Sequence, residues 1–373
     1  MLESPSKIGD RSSILDSIIR LSNSAGSNPG KRNGCINGKR KNNTTDTPTT
    51  RKRKVLVKDL LKQNYEVINV DFEIYSDQKN NSNINNNQTK NFIHLDFRNT
   101  EEVKQYLKNI DCVVILGGLV GEYITKKYST LSQAINEDGL FNLIDVLNEF
   151  ENIKKIIFIS TCSNYGITDN NILVDEEHKL NPISPYAKAK VKIENYLFSK
   201  KNTNYSPTIL RFATAFGYSP RMRFDLTLNH FCYSMLKEKE IEVFDADTWR
   251  PYCHVKDFSS LIIKVISAKS ELTNREIYNV GSDENNYTKR GIIELVKSYL
   301  PETKVIFKKK GSDKRDYRVS FKKVNTILDF KPEYSVEDGI KEVLDVLQAP
   351  NCDYLKEDSL KIRGNFNILN HVK

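Results

Sequence analysis

The sequence predicts an α/β protein built on a parallel β-sheet with helices on both faces. Three observations carry that expectation. From about residue 55 short apolar runs alternate with helical periodicities. Two of the runs, Asp111 to Leu116 and Ile153 to Ser160, are apolar at consecutive positions, as a strand buried on both faces requires. The length, 373 residues, gives room for one large domain with a smaller lobe, or for two ordinary domains.

In chain order, residues 1–54 are rich in Ser, Asn, Gly, Thr, Lys and Arg and are expected to be disordered, apart from a brief helix over Ser13 to Arg20. Strands are predicted at Glu66 to Asp71, Phe92 to Asp96, Asp111 to Leu116, Ile153 to Ser160 and Pro207 to Thr214. Between them, helices are expected at Glu101 to Leu107 and at Leu131 to Phe150, where Leu140, Leu143, Ile144 and Leu147 share a face. The low-complexity run Asn80 to Gln88 reads as a tolerated loop insertion. Beyond residue 217 the pattern loosens. Helices are predicted at Asn229 to Lys237, Val255 to Ala268, Arg290 to Leu300 and Val336 to Leu347, with strands at Ile241 to Phe244 and Ile277 to Gly281. The expected division is 1–54 a basic tail, 55–217 the sheet domain, 218–350 a smaller lobe, and 351–373 an extension.

Composition narrows the function classes. The formal charge is +9, but residues 1–54 hold twelve Lys/Arg against four acids, so the body is nearly neutral. It offers no broad phosphate field, and nucleic-acid binding is confined to the tail, if anywhere. Arg51 to Lys54 could serve nuclear import, although a solvated charge run is the plainer meaning. Six cysteines lie far apart with no CxxC pair, which suits neither zinc nor a disulfide framework. No apolar run reaches the roughly 18 residues of a membrane span and no secretory signal opens the chain, so no membrane partner and a cytoplasmic location are expected.

The chemistry points to Pro185 to Lys190. Tyr186 and Lys190 stand four apart on one helix, hence on one face. An ammonium beside a phenol favours the phenolate and is expected to pull the tyrosine down from about 10 toward working pH, making it a usable acid/base. Some 25 residues upstream, a strand ends in Ser160-Thr161-Cys162-Ser163-Asn164-Tyr165-Gly166. Downstream come Leu210 to Thr214, Trp249 to Asp257, and Tyr278 to Gly281.

In that order and spacing these motifs resemble the extended short-chain dehydrogenase/reductase superfamily, the NAD-dependent nucleotide-sugar epimerases and dehydratases, from about residue 55 to 347. The resemblance implies a Rossmann-type doubly wound sheet with a C-terminal substrate-binding lobe. It implies Tyr186 as catalytic acid/base, Lys190 as its partner on the nicotinamide ribose, and Thr161 as the hydroxyl on the reacting oxygen. NAD contacts would come from Asp71, Asp96, Phe97, Gly117, Gly118, Asn136, Lys190 and Phe212. Asp71 would repel a 2′-phosphate and so favours NAD over NADP. Substrate contacts would come from Cys162 and Ser163, from Arg250 on the diphosphate, and from Arg315 and Arg318. A homodimer is implied, through helices such as 131–150 and 186–198.

Each of these residues also has a plainer role open to it. Asp71 could end a strand, Arg250 could pair with Asp257, Gly117 and Gly118 could merely turn the chain, His254 could be a packed strand-end residue, and Trp249 could line the core or a pocket.

One departure stands out. Such proteins open with a strand, a glycine-rich turn and a helix, because backbone amides close on the pyrophosphate. Here that first βα unit is degenerate or missing. Lys54 to Val57 reads as the strand and Val55 to Gln63 equally as the helix, while Gly26, Gly30 and Gly34 follow no apolar strand. A 4-epimerase is the leading reading, because Cys162 and Ser163 stand where a dehydratase has its carboxylate. A dehydratase, a 4-ketoreductase and a non-catalytic relative remain alternatives.

Overall fold

The computed structural model describes residues 18–22, 51–72, 92–169, 171–219, 222–311, 313–350, 352, 354 and 355. Its strands are β1 (Ile18–Ser22), β2 (Glu66–Asp71), β3 (Phe92–His94), β4 (Cys112–Ile115), β5 (Lys155–Thr161), β6 (Ser206–Phe212), β7 (Thr214–Phe216), β8 (Glu240–Phe244), β9 (Trp249–His254), β10 (Glu276–Val280), β11 (Asn286–Thr288) and β12 (Lys304–Lys308). The helices are α1 (Arg51–Lys62), α2 (Thr100–Lys104), α3 (Glu122–Lys127), α4 (Ser129–Gln133), α5 (Leu140–Asn148), α6 (Pro185–Ser199), α7 (Thr227–Lys237), α8 (Val255–Ser267), α9 (Lys289–Tyr299), α10 (Lys322–Leu328) and α11 (Val336–Gln348).

The main sheet has the order β10-β6-β5-β4-β1-β2-β3. Every residue of β4, β5 and β6 is buried. Because side chains alternate across a strand, each strand feeds two cores. Val113, Ile115, Ile156 and Phe158 pack with Leu143, Ile144 and Leu147 of α5 and Ile193 and Leu197 of α6. Val114, Ile157 and Ile159 pack on the other face with Leu56 and Leu60 of α1 and Leu261 and Ile262 of α8. The predicted sheet, covered on both sides, follows from that alternation.

Between β2 and β4 the structure departs from expectation. β1 fills the gap and runs antiparallel to both neighbours, with Ile18 opposite Val70 and Ile115 and Ser22 opposite Glu66. A strand therefore stands where part of the Ser13 to Arg20 helix was expected. The physical reason is the gap itself: without a partner, the facing N–H and C=O groups of β2 and β4 would be buried unpaired. The choice between strand and helix at residues 54–63 falls to helix. Leu56 and Leu60, one turn apart and fully buried, face α8, and Ser259 donates to Asp59 at 2.8 Å. That helix starts at Arg51, inside the expected tail. Gly26, Gly30, Gly34, Cys35, the Asn80 to Gln88 insertion and most of 351–373 lie outside the described residues.

A third core gathers around α7, α9 and α11, with Phe224, Leu228, Phe231, Ile292, Val296, Ile340 and Val343. A separate three-stranded sheet has the order β11-β9-β7, and β12 pairs with β8. The predicted helix over Leu131 to Phe150 is broken into α4, a π-helical turn at Ala134–Gly139, and α5. Among the described residues, no helix is long and apolar enough to cross a membrane.

Candidate active site

Parallel strands leave a crevice at their carboxyl ends, where β5 closes on Thr161 and the carbonyls of Gly117 and Ile159 meet Lys190. Helix α6 begins with Ser184 as its cap, accepting from the Ala187 amide at 3.2 Å, and Pro185 in its first turn. This start places Tyr186 at the mouth of the crevice, half-buried, and Lys190 one turn deeper, where only 4 % of it is exposed. The Lys190 ammonium donates to the Ile159 carbonyl at 2.8 Å and reaches that of Gly117 at 3.5 Å, so it spans the ends of β4 and β5. It lies 4.6 Å from the Phe158 ring centroid and 5.9 Å from that of Tyr186.

The expected acidification of Tyr186 is not found. Burial pushes its phenol up to about 12, and the cations that pull the other way are Arg223 and Arg315. The reason is the direction of Lys190, whose charge is turned toward backbone carbonyls.

Thr161 closes β5 and caps the short turn Cys162–Tyr165, its hydroxyl accepting from the Ser163 amide at 3.1 Å. The Cys162 thiol is buried and donates to the Arg211 carbonyl at 3.1 Å, and burial drives it far above its ordinary value. Ser163 Oγ accepts from Arg315 Nη1 at 3.0 Å and lies 3.4 Å from the Tyr317 hydroxyl.

After β4 the chain passes through Gly117 and Gly118. Gly118 has φ +134°, and a Cβ there would come 2.6 Å from Asn136 Oδ1. Asn136, in the π-helical turn, accepts from the Leu119 amide at 2.7 Å and donates to the Leu119 carbonyl at 3.0 Å. One side chain thus ties the loop down, and π-turns often sit at such sites. Asp71 ends β2 fully buried. Beside it a cavity of about 480 Å³ is lined by Phe72, His94, Leu95, Asp96, Arg98, Asn99 and Glu102. Asp96 pairs with Arg98, whose Nη2 donates at 2.8 Å. Phe97 is fully buried in the first core, and Phe212 packs on Phe258 at 3.9 Å.

Arg250, on β9, is 4 % exposed and pairs with Asp313 at 3.0 Å. The possible pairing with Asp257 does not occur; Asp257 accepts from the amides of Glu333 and Tyr334. Arg315 holds Asp313 from Nε and Nη2, both at 2.8 Å. Arg318 lies over Trp249, 4.7 Å from its ring centroid. His254 accepts from the Lys256 amide at Nδ1 and meets Glu342 at 2.7 Å through Nε2. It is a capping residue at the start of α8.

Sequence reasoning missed Glu122, Asp313, Arg223 and Tyr317. Glu122 opens α3 with Oε1 2.9 Å from Arg315 Nε, and burial raises its carboxyl. Its signal was the Gly121-Glu122 pair after the β4 loop, and that of Asp313 its place two residues before Arg315. Nothing in the sequence joins 122 to 315.

The sequence profile of the NAD dependent epimerase/dehydratase family matches residues 54–281. A putative UDP-glucose 4-epimerase from Methanocaldococcus jannaschii is 24% identical over 302 residues, covering 79% of this chain and 95% of its own. A UDP-glucuronate 4-epimerase from Thermodesulfobacterium geofontis is 24% identical over 68% of this chain and 78% of its own. The fold is similar to that of Thermus thermophilus UDP-glucose 4-epimerase solved with NAD, with TM-score 0.69, 19% identity, and coverage of 80% of this chain and 96% of the other. The profile spans more than half of the residues and takes in Asp71, Thr161, Tyr186, Lys190 and Arg250, so this protein belongs to the NAD dependent epimerase/dehydratase family of enzymes.

Proposed function

We propose that the protein is an NAD-dependent nucleotide-sugar 4-epimerase. The observation that carries this reading is the placement of Lys190 across the ends of β4 and β5, two residues before Thr161 on one side and one turn after Tyr186 on the other. The 4-epimerase names of the relatives support the reaction, and the absence of a carboxylate at Cys162 and Ser163 argues in the same direction.

The residues present fit the nicotinamide-ribose end of the cofactor. Lys190 supplies an ammonium for ribose hydroxyls, and the left-handed Gly118 leaves bare backbone beside it. NAD, when bound, supplies the acceptor for a sugar hydride. The other work falls to the chain. Burial keeps the Tyr186 phenol protonated in the cofactor-free protein, so it acts as base only after giving up that proton once cofactor and substrate are in place; as the phenolate it then takes the proton of the sugar C4 hydroxyl and later returns it. Thr161 Oγ donates to the same oxygen and steadies it. Asp71 and the cavity beside Phe72 take the adenosine end.

A second reading, dehydration, draws on Glu122. Its carboxyl, raised by burial, lies near Ser184 and Arg315 and offers the base that residues 162 and 163 lack. Product analysis separates the two readings. One sample of purified protein is denatured to release NAD, and a second, intact sample is incubated with UDP-glucose and UDP-glucuronate. Released cofactor with a C4-inverted product, lost in Tyr186→Phe, supports the epimerase. A 4-keto-6-deoxy product would replace it with the dehydratase, and absence of both cofactor and product would remove the enzyme assignment.

A further inference from the structure

Arg250 and Arg315 approach each other from β9 and from the segment after β12, and one carboxylate oxygen lies between them. Asp313 Oδ2 is 3.0 Å from Arg250 Nη2 and 2.8 Å from Arg315 Nη2. The other oxygen, Oδ1, accepts from Arg315 Nε at 2.8 Å and from the Arg315 amide at 3.2 Å. Arg250 Nη1 donates to the Trp249 carbonyl at 2.6 Å and Arg315 Nη1 to Ser163 at 3.0 Å, whereas Arg250 Nη2 is buried and meets Asp313 as an ion pair without a hydrogen bond. Two guanidiniums converging on one anionic oxygen, Arg315 as a fork and Arg250 through a single nitrogen, is the kind of arrangement by which arginines hold a phosphate. Here the oxygen belongs to the chain.

We infer that Asp313 is an internal anion seated in the arginine pair, which the diphosphate of an incoming nucleotide must displace in order to bind. The inference rests on the reading of Arg250 as the diphosphate arginine and adds that this site is held closed by its own carboxylate. Burial decides which partner leaves. The Arg250 side chain is 4 % exposed and fixed over the Tyr317 ring at 5.3 Å, whereas that of Asp313 is 32 % exposed. Without Asp313 the two buried cations would face each other with only Glu122, 2.9 Å from Arg315 Nε, as counter-charge, so the Asp313 carboxylate keeps the site folded while competing for it. The two arginines hold Asp313 ionised against the opposing effect of burial, so the competition persists across the working pH range.

The test is UDP binding measured by calorimetry on the full-length protein, with Asp313→Asn and Asp313→Ala beside the unaltered chain. The expected result is at least tenfold tighter binding in both variants, lost again when Arg250→Met is added to Asp313→Asn. Cooperative thermal unfolding checks that each variant is folded, and Asp313→Asn keeps the shape if Asp313→Ala does not fold. Equal or weaker UDP binding in the variants would overturn the inference and make Asp313 an organiser of the arginines. No UDP binding in any chain would overturn both it and the diphosphate assignment. Released NAD and the activity of the unaltered chain report separately on the epimerase reading.

Discussion

Glu194 and Arg211 face each other at 2.7 Å with side chains no more than 4 % exposed, two helical turns along α6 from Tyr186. Tyr186, Lys190 and Glu194 are spaced by four and share a face. Glu194 also accepts from Asn164 at 2.8 Å and from Ser160, the residue before Thr161. The ion pair to β6 and the hydrogen bond from Ser160 of β5 therefore set the rotation of the helix that carries Tyr186 against the strand that carries Thr161.

Breaking that pair leaves a buried charge, which typically costs about 3–5 kcal/mol. Glu194→Gln is expected to lower stability to urea by about 3 kcal/mol and to reduce kcat more than it raises KM, because the groups it aligns act on bound substrate. A loss below about 1 kcal/mol would show that the pair does not hold the helix.

Tyr186 is expected to stay protonated in the cofactor-free protein well beyond neutrality. Burial raises an acid's pKa because it disfavours the anion, here to about 12. Phenolate absorbance near 295 nm should therefore not differ between the unaltered protein and Tyr186→Phe below about pH 10. A titration near pH 7 missing from the variant would contradict the placement of Lys190.

Gly118→Ala is expected to cost about 1–3 kcal/mol. The residue lies at φ +134° and the new methyl would press on the oxygen that holds the Leu119 amide. Thermal unfolding measures the cost, and NAD released from the variant should fall with it. A melting temperature unchanged from that of the parent would show that the loop has another way to close.

Glu342 predicts an acid limit to stability. Burial opposes ionisation, but His254, Lys256 and the Tyr218 amide outweigh it and hold the carboxyl at about 2. A depressed carboxylate contributes its full stabilisation above the unfolded value of about 4.5 and loses it as pH falls toward 2. The stability margin over Glu342→Gln should reach about 2 kcal/mol above pH 5 and shrink steadily below pH 4. A margin independent of pH would remove the ionic account of this contact.

The strands and helices of the sheet were legible because their side-chain periods are local. Consecutive apolar positions in 112–115 and 155–161 mark strands buried on both faces, and the spacing of Leu140, Leu143, Ile144 and Leu147 marks a helix. The spacing of Tyr186 and Lys190 likewise put them on one face without reference to any other part of the chain. The π-helical turn at 134–139 was not legible, because the pull of Asn136 on Leu119 that accompanies it crosses 17 residues.

By itself, then, the sequence determined the α/β architecture, the helix that bears Tyr186 and Lys190, and the likeness to a family of sugar-nucleotide enzymes, since all three are written in spacings along the chain. Tertiary structure alone decided that β1 enters the sheet antiparallel, that Lys190 points at carbonyls rather than at the phenol, and that Asp313 sits between Arg250 and Arg315. Each of these depends on which groups burial brings face to face. A buried polar group takes whatever partner the packing supplies, and the packing is settled by the whole chain.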